Sequence, residues 1–173
     1  VEMRKFIANH YGLLQRMEGI ERKQIETDQK FEQVFKALES KNAIPNQGVF
    51  FEGQVFDAYE LASKIIRSAK ISIVLIDNYC DETVLTLLSK RQAKVKASIY
   101  LNKIDAAFQL DIEKHNLQYD VIEVNLFKKA HDRFLILDQK EVYHIGASLK
   151  DLGKKWFAFS KLNIDPLTLL GKL

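Results

Sequence analysis

Strand-length apolar segments alternate with helical segments from Gly48 onward, and this alternation restricts the chain to a mixed α/β fold. The expected strands are GVFFEG, ISIVLID, VKASIYL, the stretch from Tyr119 to Asn125, RFLILD and VYHIGAS. The expected helices are Asp57 to Ala69, Asp81 to Lys90, and a region around Asp105 to His115. Asp57 is the expected N-cap of the first helix. The central strands are almost wholly apolar, which indicates a sheet covered on both faces.

The N-terminal segment follows the pattern of one long helix. From Met3 to Ser40 it has no proline, and its glycines are Gly12 and Gly19. A heptad register gives a largely apolar seam with one polar layer. Position a holds Phe6, Leu13, Ile20, Thr27 and Val34, and position d holds His10, Met17, Gln24, Phe31 and Leu38. This seam predicts a dimerising coiled coil. The alternative is a helix packed on its own domain.

A turn-rich break, SKNAIPNQG, separates this helix from the rest. We therefore predict a helical dimerisation segment at 1–43, an α/β domain at 48–165 and a tail at 166–173. The length of 173 residues permits one core plus an appendage. A single cysteine, Cys80, excludes an intrachain disulfide and predicts a reducing, cytoplasmic compartment. No apolar run reaches the ~18 residues of a membrane span, so no membrane partner is expected.

The positive charge of the chain is unevenly distributed. The net charge is +3, yet residues 126–161 alone contain 8 Lys and Arg against 4 Asp and Glu. This surplus predicts an anionic partner close to these residues. Ordinary solvated lysines are the alternative. The opening letters VEMRKF already follow the helical pattern, so we expect the chain to be part of a longer protein.

The basic region contains the segment AHDRFLILDQKEVYHIGAS, which combines polar and apolar residues in an unusual way. His131, Arg133 and Asp138 follow the spacing H-x-R-x-x-x-x-D, and Gly146, Ala147 and Ser148 follow after one hairpin. On a strand, residues 131 and 133 would point to the same face, so an imidazole and a guanidinium could approach one phosphate.

This segment resembles the signature of the phospholipase D superfamily, H-x-K-x-x-x-x-D followed by G-S-x-N. The order of strands and helices from about Gly48 to Lys161 is similar to one half of that fold. The resemblance implies that His131 is the nucleophile or the general acid, and that Arg133 clamps phosphate. It also implies that Ser148 donates a hydrogen bond to phosphate and that Asp138 orients an imidazole. No metal and no other cofactor is implied.

The chain departs from the family pattern at two positions. Arg133 replaces lysine, and arginine is a planar fork rather than a point charge. Ala147 stands at the place of the family serine, unless a shift of one residue brings in Ser148. An active phosphodiesterase, an inert phosphate-binding site and a coincidental spacing all stay open. Because a phospholipase D site needs two motifs and this chain has one, we expect two chains to pair, as the heptads independently predict.

The expected substrate is nucleic acid, with DNA as the first choice. The residues predicted to contact phosphate or nucleic acid are Lys128, Lys150, Lys154, Lys155 and Tyr79. The chain also resembles the C-terminal half of bacterial, prophage-related DNA-binding proteins in which a KilA-N-like domain precedes a coiled coil. We predict a metal-independent, homodimeric phosphodiesterase. The alternative is a non-catalytic module of a DNA-binding regulatory protein, which dimerises and binds phosphate or DNA.

Overall fold

The computed structural model describes the backbone of residues 2–173 and the side chains of residues 2–7, 9–35 and 43–173. The chain divides into two units between Ala43 and Ile44. None of the helices described has both the length and the apolar composition that a membrane span requires.

The first unit is the helix α1 (Glu2–Asn42). Gly12 and Gly19 lie inside it without interrupting the helix, which confirms the predicted long N-terminal helix. Within this unit the described apolar side chains of the heptad seam, among them Leu13, Ile20 and Phe31, are exposed. Leu38, the last d position of the predicted seam, lies outside the described side chains.

The second unit, residues 44–173, is described throughout and contains seven strands and four α-helices. The strands are β1 (Gln47–Phe50), β2 (Ser72–Ile76), β3 (Lys96–Leu101), β4 (Ile122–Leu126), β5 (Arg133–Leu137), β6 (Glu141–Ile145) and β7 (Phe157–Leu162). The helices are α2 (Val55–Ser68), α3 (Glu82–Leu88), α4 (Ala106–Gln118) and α5 (Leu167–Leu170), and a 3₁₀ turn spans Leu149–Asp151.

All seven strands form one mixed sheet in the order β1-β7-β6-β5-β2-β3-β4. Strands β2, β3 and β4 are parallel, and α3 and α4 supply the crossovers between them. Every other pair is antiparallel. The position of β2 inside the sheet explains its apolar sequence. Because β2 and β5 are antiparallel neighbours, the carboxyl end of β2 lies beside the start of β5.

The two faces of the sheet carry layers of unequal thickness. Helices α2, α3 and α4 cover one face, with a core that includes Leu75, Ile99 and Leu135. The opposite face has a smaller cluster around Ile136, and the C-terminal residues around Leu170 pack against it. The predicted tail at 166–173 is therefore part of the packed fold, because its leucines cover apolar strand residues.

Each of the two crossover helices has an aspartate as its N-cap. Asp81 caps α3 by accepting from the Thr83 N–H, and Asp105 caps α4 by accepting from the Phe108 N–H. The prediction for Asp57 was wrong, because α2 begins at Val55 and Asp57 lies in its first turn. A carboxylate in the first turn still stabilises the helix through the helix dipole.

Candidate functional site

The candidate site lies where β2 ends and β5 begins. The antiparallel register pairs Ile76 with Phe134, so the next residues along, Asp77 and Arg133, face each other across the two strands. The segment after β6, which contains Ser148, approaches the same strand end. The carboxyl end of a parallel strand is the usual place for ligand sites in α/β proteins.

Asp77 organises this strand end, although sequence analysis treated it only as the end of a strand. It is fully buried, and its carboxylate accepts hydrogen bonds from the Tyr79 N–H (3.1 Å), the Leu149 N–H (2.8 Å) and the Ser148 hydroxyl (2.9 Å). Burial raises the pKa of Asp77, while these hydrogen bonds and the charge of Arg133 act in the opposite direction. The sequence feature that could have identified Asp77 is its position as an acidic residue directly after an apolar strand.

Ser148 is buried and turned toward Asp77. Its hydroxyl oxygen lies 2.9 Å from the Asp77 carboxylate and 2.7 Å from the Tyr79 carbonyl oxygen. A hydroxyl has one proton, so its single hydrogen bond is directed to one of these two acceptors. The expectation that Ser148 donates to phosphate does not fit this geometry, in which Ser148 holds the loop after β6 against the end of β2.

Arg133 forms one wall of an open groove of about 530 Å³. The predicted residues Tyr79, Lys150, Lys154 and Lys155 line the same groove, together with Gly146, Ala147, Ser148, Asp151 and Trp156. The guanidinium carbon lies 5.7 Å from the centre of the Tyr79 ring, and the Arg133 Nε is buried with no hydrogen-bond partner among the described residues. An arginine on the wall of an open groove, next to several lysines, suits an anionic ligand.

Two features shape the far side of this groove. Gly146 passes so close to β7 that a Cβ would lie 2.9 Å from the Ala158 carbonyl oxygen, so only glycine fits without a shift of backbone. Lys154 pairs with Asp151 at 2.8 Å, and this hydrogen bond raises the pKa of Lys154. In the segment KKWFAFSK, Phe157 and Phe159 are buried strand residues, whereas the Trp156 ring is exposed.

His131 precedes Arg133 by two residues, lies outside the strand, and is not among the residues that line the groove. Strand β5 begins at Arg133, so the expected strand alternation does not extend to His131, whose side chain is fully exposed. Its Nδ1 lies 3.9 Å from one carboxylate oxygen of Asp132, and the other oxygen lies 3.6 Å from the Nε2 of His144. Asp132, which sequence analysis did not consider, is the carboxylate beside the imidazole.

Asp138 lies at the opposite end of β5 and has another partner. Its carboxylate accepts hydrogen bonds from the backbone N–H groups of Lys70, Ile71 and Ser72 at 2.7–3.0 Å. Burial acts to raise the pKa of Asp138, but the three amides and the charge of Lys140 outweigh it, so the pKa lies below its ordinary value. The expectation that Asp138 orients an imidazole is therefore corrected: it fastens the turn after β5 to the start of β2.

Lys128, the remaining predicted contact, lies in a neighbouring groove at the ends of β2, β3 and β4. Tyr79 and Lys150 belong to both grooves. Within the described side chains, no group of three or more His, Cys, Asp or Glu residues is arranged to hold a metal ion.

Comparisons with known proteins bear on the fold. No family model matches the chain, and no curated protein matches it. NucT from Helicobacter pylori aligns with 73% of this chain and 90% of its own, at 16% identity and a TM-score of 0.51. TrmBL2, described as an archaeal chromatin protein with a novel mode of DNA binding, aligns with 92% of this chain at 17% identity and a TM-score of 0.46. This chain covers 62% of TrmBL2, less than two thirds of it.

The likeness to NucT is one of fold alone, because the identity is low. Together with α1, which the structure itself shows, it confirms the predicted α/β fold class: a mixed sheet flanked by helices and preceded by a long N-terminal helix.

Proposed function

We propose that this protein is a metal-independent phosphodiester hydrolase that acts on nucleic acid, DNA in the first instance. The observation that carries the proposal is the position of the Arg133 side chain in a groove that is also lined by Lys150 and Lys155, at the carboxyl end of a parallel strand. A phosphodiester is the common ligand that takes a guanidinium and several ammonium groups at once.

In this proposal His131 is the nucleophile. An imidazole nitrogen forms a P–N bond while the P–O bond to the leaving nucleoside breaks, and a second imidazole donates its proton to that oxygen. Water then attacks phosphorus and gives a proton to the second imidazole, and the P–N bond breaks to release a phosphate monoester. Arg133 and the lysines stabilise the negative charge throughout, which is the work a metal ion does in other hydrolases.

The second imidazole would come from a second copy of the chain. One chain supplies a single H-x-R motif, and the heptad seam of α1 offers apolar side chains such as Leu13 and Ile20 for pairing. We therefore propose a homodimer with one site shared by two chains. The full exposure of His131 is compatible with such a meeting, since no described residue of its own unit covers the ring.

The second candidate is a phosphate- or DNA-binding module without catalysis. The orientation of Ser148 favours it, because this hydroxyl is directed to Asp77 or Tyr79 and not to the groove. Arginine in place of lysine at position 133 also preserves phosphate binding while changing the geometry that a catalytic cation would need.

Both candidates are tested by one assay series in excess EDTA. The protein is incubated with labelled single-stranded DNA, duplex DNA and bis-p-nitrophenyl phosphate, and both binding and cleavage are measured. Arg133→Ala is the test variant, and Arg67→Ala, an exposed arginine on α2, is the matched control.

Cleavage in EDTA that is lost in Arg133→Ala and kept in Arg67→Ala supports the hydrolase. Binding with the same variant pattern and no cleavage supports the non-catalytic module. Cleavage that disappears in EDTA and returns with Mg²⁺ contradicts the metal-independent mechanism. Absence of both binding and cleavage contradicts both candidates.

A further inference from the structure

A second groove lies beside the Arg133 groove, and the proposed reaction does not use it. It has a volume of about 670 Å³ and is lined by Asn78, Cys80, Asn102, Lys103, Asp105 and Lys128, together with the shared Tyr79 and Lys150. These residues follow the carboxyl ends of β2, β3 and β4 or lie in the segment after β6. The two grooves therefore form one continuous surface that turns around Tyr79 and Lys150.

The charge of this second groove is positive. Lys103, Lys128 and Lys150 surround one acidic residue, Asp105, one of whose carboxylate oxygens is already used by the N–H of Phe108 at the start of α4. Among the described residues, none of these three lysines makes an ion pair. Unpaired ammonium groups along a groove attract a polyanion whose phosphates release counterions on binding.

The second groove also contains an amide suited to a nucleobase. Asn102, exposed after β3, lines the groove with its side-chain amide. Asn78 lies beside it, but its amide nitrogen donates to the Ala130 carbonyl oxygen at 2.8 Å and its own carbonyl oxygen is buried, so that oxygen is not accessible to a base. Amide side chains recognise base edges because they present a donor and an acceptor together.

Tyr79 links the two grooves by its exposed ring. About half of the residue, 54%, is accessible, and the Arg133 guanidinium lies 5.7 Å from the ring centre. An exposed tyrosine beside a phosphate site is a platform on which a base can stack. A base can reach it only when it is not stacked inside a duplex.

From these observations we propose that the second groove is a subsite for the nucleotide adjacent to the phosphate at Arg133. The ligand is an unpaired nucleotide of a nucleic acid strand, with its base on Tyr79 and its next phosphate among Lys103, Lys128 and Lys150. This inference rests on the phosphate site of the proposed function, and it adds a preference for single strands.

The test compares three probes on five proteins. The probes are a short fluorescent single-stranded DNA, the corresponding duplex, and bis-p-nitrophenyl phosphate, which has only one phosphate. The proteins are the wild type, the double variant Lys103→Gln/Lys128→Gln, its matched control Lys114→Gln/Lys172→Gln, whose lysines are exposed elsewhere, and the two variants Tyr79→Ala and Tyr79→Phe. Binding of DNA is measured by fluorescence anisotropy over a series of salt concentrations.

We expect the groove variant to bind single-stranded DNA roughly tenfold more weakly and to bind bis-p-nitrophenyl phosphate as the wild type does. Weakened contact with this one phosphate should reduce the slope of log K against log salt by up to about 0.7. Tyr79→Ala should weaken single-strand binding roughly tenfold while Tyr79→Phe does not, and duplex should bind more weakly than the single strand.

The outcomes separate the two proposals. If both probes bind and the groove variant behaves like the control, the subsite is wrong while the phosphate site stands. If duplex binds as tightly as the single strand, base stacking on Tyr79 is wrong. If neither probe binds, the proposed function and the subsite are both overturned.

Discussion

Substitution of Asp138 by asparagine separates the structural role of this residue from a catalytic one. The carboxylate accepts hydrogen bonds from three consecutive backbone N–H groups, those of Lys70, Ile71 and Ser72. Asparagine keeps one acceptor oxygen, but its NH₂ group would face backbone N–H groups that are themselves donors, so some of these hydrogen bonds are lost. The backbone at Asp138 has φ 54°, a conformation that asparagine tolerates well, so the substitution adds little backbone strain.

The magnitude follows from the hydrogen bonds that are lost. A hydrogen bond to a charged group contributes about 1.5–3 kcal/mol, and bonds that share one carboxylate do not add in full. We expect Asp138→Asn to lower the free energy of unfolding by roughly 2–3 kcal/mol. For a chain of this size the melting temperature should fall by roughly 5–10 °C. Folded protein should still bind bis-p-nitrophenyl phosphate, because Asp138 is at the far end of β5 from Arg133.

The effect should depend on pH in a defined direction. The pKa of Asp138 is lowered from the ordinary 3.8 on folding, so its contribution is complete above that value and is lost as pH falls through the folded pKa. The difference between wild type and Asp138→Asn in urea unfolding should be full at neutral pH and shrink in acid.

Asp132→Asn is the control, because its carboxylate is exposed and its ionic contacts among the described residues are with two histidines at 3.6 and 3.9 Å. It should change the unfolding free energy by less than about 0.5 kcal/mol. An unchanged urea midpoint for Asp138→Asn would refute the structural role. So would loss of phosphodiester binding in a variant of unaltered stability.

Three further results are expected. His131→Ala should leave the circular dichroism spectrum and the dimer intact and reduce hydrolysis by at least ~10²-fold. A doubly tagged mixed dimer with one intact chain should also be inactive. Half of wild-type activity in the mixed dimer would contradict a shared site. Deletion of residues 1–40 should weaken the dimer in sedimentation equilibrium, and an unchanged dimer would show that α1 does not hold the chains together. Ser148→Ala should lower the free energy of unfolding by about 1–3 kcal/mol, because either Asp77 or the Tyr79 carbonyl oxygen loses its donor, and it should not reduce phosphate affinity. Reduced affinity at normal stability would restore Ser148 as a phosphate ligand.

Local patterns were sufficient to predict the framework of the fold. The run ISIVLID is central in the sheet because β-branched and aliphatic side chains on both faces can be satisfied only by burial. The long proline-free pattern gave α1, and the caps Asp81 and Asp105 lie where their side chains can reach the first free N–H groups. The start of α2 was misplaced, because Gln54, whose side chain accepts from the Phe51 N–H, has no strong capping signature.

The site was predicted less well, because its contacts join distant parts of the chain. Asp138 is 66–68 residues from the amides it binds, and Ser148 is 71 residues from Asp77. A short sequence pattern cannot predict contacts between residues so far apart in the chain. Arg133 and Lys150 line the same groove, and the basic surplus that singled out this region depends only on neighbours in sequence.

The position of Asp138 changes what the spacing H-x-R-x-x-x-x-D can diagnose in other sequences. The aspartate has a structural role in the sheet, so a lineage can lose the histidine and the arginine, and with them the catalytic activity, and still keep the aspartate for stability. A genome scan for the aspartate at the end of this strand would collect inactive copies together with active ones. Side chains equivalent to His131 and Arg133 would divide the two groups, while an absent aspartate would mark chains that need another way to fasten β5 to β2.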